Sequence, residues 1–170
     1  METKFYEVRQ NNSGGSFDVD DKVCRNLFIE AKSEEDATSI AEGLGCYWNG
    51  VDEGMDCPCC GDRWYGVSEI KLNDMNTKWG GYEIEQWLDG KKNQNESENI
   101  EKLKSKYDGF TWSVEPAINT KHGFKRIVGR VRLDNIEQYA QIMANLHGWT
   151  TPDARVFYLD GNVKEIFSNK

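Results

Sequence analysis

The residues best suited to chemistry lie in Asp56-Cys57-Pro58-Cys59-Cys60-Gly61-Asp62-Arg63-Trp64. Cys57 and Cys60 form a C-x-x-C pair, with Pro after the first and Gly after the second. Such a turn lets backbone N–H groups point at sulfur and lets two thiolates face one ion, the shape of a zinc knuckle. A structural zinc site takes four ligands, and there is no second C-x-x-C. Cys46, eleven residues before Cys57, and Cys59 are the nearest candidates, so the expected metal set is Cys46, Cys57, Cys59 and Cys60. Cys24, His122, His147, Asp52, Asp56 and Asp62 are further donors. Two other readings stand beside it: a redox or catalytic thiol with a lowered pKa, and inert thiols in a tight turn. Five cysteines, an odd number, without an export signal point to a reducing compartment.

A second candidate is the stretch Phe124 to Leu133. Alternation puts Arg126, Arg130 and Arg132 on one face and Ile127, Val131 and Leu133 on the other. Arginines beside Trp112 suit phosphate, a nucleotide or single-stranded RNA. The plainer reading pairs them with acids on neighbouring strands, Glu115 or Glu165. No P-loop, dinucleotide fingerprint, nucleophile elbow or H-E-x-x-H occurs. The only histidines are His122 and His147, and no spacing ties either to a cysteine. A non-enzymatic role is therefore expected.

The elements that must carry these residues follow from periodicity. Phe5 to Arg9, Leu27 to Ala31, Trp64 to Leu72, Tyr82 to Leu88, Phe110 to Glu115 and Phe124 to Leu133 read as strands. A hairpin joins Arg155–Leu159 to Val163–Phe167 across Asp160-Gly161-Asn162. Ser33 caps a helix with the stripe Ala37, Ile40, Ala41 and Leu44, ended by Gly43 or Gly45. A short helix is expected from Ser97 through Ile100, Leu103 and Tyr107. The last helix, capped by Asp134, carries Ile136, Tyr139, Ala140, Met143 and Leu146 and closes at Gly148. The order lacks strict β/α alternation. An α+β fold with mainly antiparallel sheet and about three amphipathic helices is expected.

At 170 residues the chain suits one domain or two small modules. A split at the polar stretch Asp89 to Asn99 gives residues 1–90 and 91–170, or one continuous domain. The net charge of −8 divides into −11 and +3 across that split. An acidic chain argues against a general nucleic-acid binder. Six Trp, seven Tyr and seven Phe argue against disorder. No apolar run approaches the roughly 20 residues that cross a bilayer, so no membrane association is expected.

The segments Lys4-Phe5-Tyr6-Glu7-Val8-Arg9-Gln10-Asn11-Asn12-Ser13-Gly14-Gly15-Ser16-Phe17, Phe28-Ile29-Glu30-Ala31, Cys46-Tyr47-Trp48-Asn49-Gly50 and Cys57-Pro58-Cys59-Cys60-Gly61-Asp62-Arg63-Trp64 resemble small proteins encoded by tailed bacteriophages. The resemblance covers about residues 4–70. It implies a phage source and the host cytoplasm, with Asn11, Asn12 and the knuckle as the shared site, and brings no activity. Two functions are expected. One is a phage accessory protein binding a host or defence protein through acidic surface near Tyr47 and Trp48, with a structural zinc knuckle. The alternative is a nucleotide- or RNA-binding protein using Arg126, Arg130 and Arg132 with the Asn11–Asn12 loop.

Overall fold

The computed structural model describes residues 2–11, 15–71, 82–88, 101, 110–116, 125–131, 135–148 and 150–169. Its strands are β1 Lys4–Arg9, β2 Asn26–Ala31, β3 Ser68–Glu69, β4 Tyr82–Leu88, β5 Thr111–Pro116, β6 Lys125–Val131, β7 Ala154–Phe157 and β8 Val163–Ile166. The helices are α1 Glu34–Leu44 and α2 Ile136–His147. The fold is α+β and mainly antiparallel, as the sequence implies. Two helices stand among the described residues against about three expected. The expected helix over 97–107 lies outside them, apart from residue 101.

Contacts divide the chain into two units. One is Met1–Lys71 with Asn135–Lys170, the other Leu72–Asp134. The dividing lines differ from a cut at residue 90, because the C-terminal helix and hairpin pair with N-terminal strands. Recounted by unit, the first holds 19 acidic and 10 basic residues, net −9, and the second 10 and 11, net +1. The acidity thus belongs to a structural unit.

The first unit is a five-stranded sheet ordered β3-β1-β2-β7-β8. Only β2 and β7 pair in parallel. β1 and β2 run antiparallel, with Tyr6 opposite Ile29 and Val8 opposite Leu27. These four share one face, since side chains alternate along a strand. Ala37 and Ala41 of α1 pack on that face with Tyr6, Val8, Leu27, Ile29 and Ala31. The small alanines let the helix approach closely. Burying Leu27 and Ile29 contributes about 1.5–3 kcal/mol each. On the other face Phe28 meets Tyr139 of α2 edge-to-face, at 5.7 Å between centroids.

Local signals set the ends. The Ser33 side chain accepts from the Asp36 N–H at 3.2 Å, and Gly45 takes a left-handed φ of 111°. At α2 the cap is Asn135 in place of the expected Asp134; its side chain accepts from the Gln138 N–H at 3.0 Å. Asn and Asp cap equally well, so register alone separated the neighbours. Of the expected strand Trp64 to Leu72, whose last residue lies outside the described residues, only Ser68–Glu69 is strand. The segment touches β1 through one bridge, Gln10 to Trp64, and through β3. β7 and β8 form the expected hairpin, with Gly161 in its turn.

The second unit contains a three-stranded antiparallel sheet, β4-β6-β5. Arg126 lies opposite Trp87 and Glu115, and Arg130 opposite Glu83 and Thr111. Gly129 is needed under Trp112: a Cβ there would come within 2.5 Å of the indole ring. Among the described residues no helix is long and apolar enough to cross a membrane.

Candidate metal centre

Cys57, Cys59 and Cys60 gather their sulfurs within 4.8 Å of one another. The Sγ atoms of Cys57 and Cys59 are 2.7 Å apart, and those of Cys59 and Cys60 3.5 Å apart. A tight turn creates this grouping. The N–H groups of Cys60 and Gly61 both donate to the Cys57 carbonyl, at 3.0 and 3.1 Å. Gly61 follows with φ +84°, a conformation that side chains rarely adopt. The turn closes on its backbone and leaves Cys57 and Cys59 exposed, with Cys60 half-buried.

Neighbouring polar groups hold this turn. Asn11, just past β1, donates through Nδ2 to the carbonyls of Cys60 at 2.8 Å and Asp62 at 3.3 Å. The Asn11 N–H donates to the Arg63 carbonyl at 2.8 Å, and the Tyr65 N–H to the Arg9 carbonyl at 3.0 Å. The knuckle is therefore anchored along the edge of β1. Asp56 spans its base. Its Oδ1 accepts from the Tyr47 hydroxyl at 2.8 Å and its Oδ2 from the Arg63 N–H at 2.7 Å. Asp62 Oδ1 accepts from the Val51 N–H at 2.9 Å. Both carboxylates, candidate ligands by sequence, hold the loop instead.

Gly50 completes the base. A Cβ there would overlap the Asp56 carboxylate and lie 2.7 Å from Tyr47 Cε2. Gln10 also fixes the end of β1. It is buried and donates to the carbonyls of Asp18 at 2.7 Å and Cys24 at 2.9 Å, while accepting from the Asp18 N–H at 2.8 Å. Sequence reasoning missed both Gly50 and Gln10. The Asn49-Gly50 turn pair was a signal for the first; a glutamine at a strand end offers none.

Electrostatics separate the thiols. Hydrogen bonding from the Cys59 thiol, joined by the Cys59 N–H, holds the Cys57 pKa below the ordinary thiol value. Cys59, which supplies that stabilisation, is pushed up to about 11. Cys46 does not join the cluster. It lies in the core with Ala41 and Trp64, and burial pushes its pKa up to about 12. The grouped sulfurs are those of three of the four expected cysteines, while Cys46 is buried in the core. Cys24 is likewise buried, also pushed up to about 12, and its Sγ donates to the Asn26 carbonyl at 3.3 Å.

Tyr47 and Trp48 are not exposed anchors. Both pack against the core; the Trp48 indole donates to Glu42 at 2.7 Å. The exposed groups here are Asp52, Glu53 and Met55, the last 62% exposed, together with Cys57 and Cys59. A cleft of about 160 Å³ beside them is lined by Asn11, Met55, Asp56, Cys57, Cys60 and Arg63.

Asn11 and the three loop cysteines are thus brought together. Asn12, Arg132 and His122 lie outside the described residues. Arg126 and Arg130 stand on β6 with Glu115 and Glu83 directly across. Val128, between them on the same face, is fully buried, so that face is not an open platform at its centre.

A family model for a domain of unknown function, DUF7296, matches residues 3–111, and the chain belongs to that family. The match takes in β1, the knuckle and β4. No curated protein matches. No solved structure matches either.

Proposed function

We propose that this member of the DUF7296 family is a non-enzymatic accessory protein of a tailed bacteriophage. It binds a basic host or defence protein in the host cytoplasm through its acidic first unit. The knuckle holds a structural zinc ion that stiffens the docking loop. The observation that carries this reading is the exposed loop over residues 52–59. It presents Asp52, Glu53 and Met55 from a hydrogen-bonded stem, on a unit of net −9. Acidic groups steer a basic partner and an exposed methionine adapts to its apolar surface.

The alternative is a nucleotide- or RNA-binding protein that uses the arginine face of β6. Acidic residues stand across from both described arginines of β6, the arrangement expected of cross-strand ion pairs. The test is affinity capture from infected host lysate with the full chain, at low and high salt. Capture of a basic protein that weakens with salt and is lost in a D52K/E53K chain supports the reading. Salt-independent capture, or capture of nucleic acid by the same chain, overturns it.

A further inference from the structure

The metal arrangement can be taken further, on the reading that the loop thiols hold zinc. Structural zinc sites are closed by four protein ligands, whereas sites that bind an outside ligand supply three. Three sulfurs converge here. The nearby carboxylates of Asp56 and Asp62 are engaged by Tyr47, Arg63 and Val51. Cys46, the sequence's fourth candidate, is sequestered in the core. Three sulfurs at about 2.3 Å from one ion lie about 3.8 Å apart; Cys59 lies 2.7 and 3.5 Å from its two partners, so the sulfurs need only spread slightly to admit an ion. Cys57 and Cys60 also line the cleft of about 160 Å³, so an ion between them faces that cleft. The cleft has room for a ligand of a few heavy atoms. Arg63 lies on its wall, its guanidinium held by the Asp18 carboxylate and the Ser16 carbonyl; an ion already held by soft sulfur ligands favours a further sulfur donor.

We propose that Cys57, Cys59 and Cys60 are the complete protein ligand set of a zinc site whose fourth position opens into this cleft and takes the thiolate of a small thiol. The knuckle is then a ligand-binding centre as well as a brace. Met55, on the same cleft, covers the bound thiol's apolar side.

The experiment uses the full chain, reduced and stripped of metal, titrated with cobalt(II) as a spectroscopic stand-in for zinc. One equivalent should bind with a sulfur-to-cobalt charge-transfer band. Adding 2-mercaptoethanol should then shift the visible spectrum, and imidazole should shift it less. C57S, C59S and C60S should each lower cobalt affinity by at least about 10-fold; C46S should keep it. Circular dichroism of each variant distinguishes loss of the site from loss of the fold, and Zn(II) should displace the cobalt stoichiometrically. A cobalt spectrum insensitive to added thiol, or abolished by C46S in a folded chain, overturns the open three-sulfur site while leaving a metal knuckle. A response to imidazole but not to thiol overturns the choice of donor. Failure to bind cobalt or zinc overturns both this inference and the zinc knuckle.

Discussion

The cysteine loop and the arginine strand looked comparable as sequence: each set three like residues close together, each with aromatics nearby. Their surroundings differ. Around Cys57, Cys59 and Cys60, polar neighbours satisfy one another. Asp56 takes Tyr47 and Arg63, Asp62 takes Val51, and Asn11 takes two carbonyls. The Cys57 and Cys59 thiols are exposed, and the three sulfurs lie together. Along β6, Glu115 and Glu83 stand across from Arg126 and Arg130. Like groups brought together make a candidate site when the fold spends its complementary groups elsewhere. Where complementary residues lie opposite in register, cross-strand ion pairing is the expectation to be tested.

The sharpest way to probe that difference is thiol reactivity in the reduced, metal-free chain. The thiolate is the nucleophile. Burial pushes Cys46 to about 12, against an ordinary 9.0, and its thiolate fraction falls about a thousandfold. Cys57 is shifted the other way. Alkylation followed by mass spectrometry should therefore modify Cys57 first, with a rate midpoint below 9.0. Cys59 should follow with a midpoint near 11, and Cys24 and Cys46 should react only on unfolding. Equal labelling of Cys46 and Cys57 would erase the contrast between core and loop.

Substitution at the base of the loop comes next. Gly50→Ala drives a methyl into Asp56 and Tyr47. It should cost about 3 kcal/mol in denaturant unfolding. Asp56→Ala strands the Tyr47 hydroxyl and the Arg63 N–H. It should cost about 2 kcal/mol, and Asp56→Asn less, since one acceptor oxygen remains. Both variants should also weaken metal binding. A chain that tolerates Gly50→Ala without loss would show that the loop is not braced as described. The smallest effect belongs to β6. A double-mutant cycle between Arg126 and Glu115 should give a coupling of about 0.5 kcal/mol. Zero coupling would return these arginines to the list of candidate ligand groups.

What could be read without coordinates was local. Ser33, Gly45, Gly148 and the Asp160-Gly161-Asn162 turn act through bonds within a few residues, and each sits where its chemistry places it. The pairing of Asn11 with Cys60 and of Gln10 with Trp64 spans some fifty residues, and no periodicity encodes it. Tyr47 and Trp48 stand at the start of an acidic, irregular stretch, which hid their packing against the core. Cys46 has useful spacing to Cys57, yet its side chain is buried in the core cluster. The division into units was hidden for the same reason: β7 pairs with β2 across more than a hundred residues.

The central claim is that the loop thiols alone form the metal centre. X-ray absorption at the zinc edge of the full chain loaded with one equivalent of zinc, free of added thiol, counts the ligating sulfurs directly. The account predicts three sulfurs at about 2.3 Å with one lighter donor, unchanged in C46S. Four sulfurs, falling to three in C46S, would contradict it.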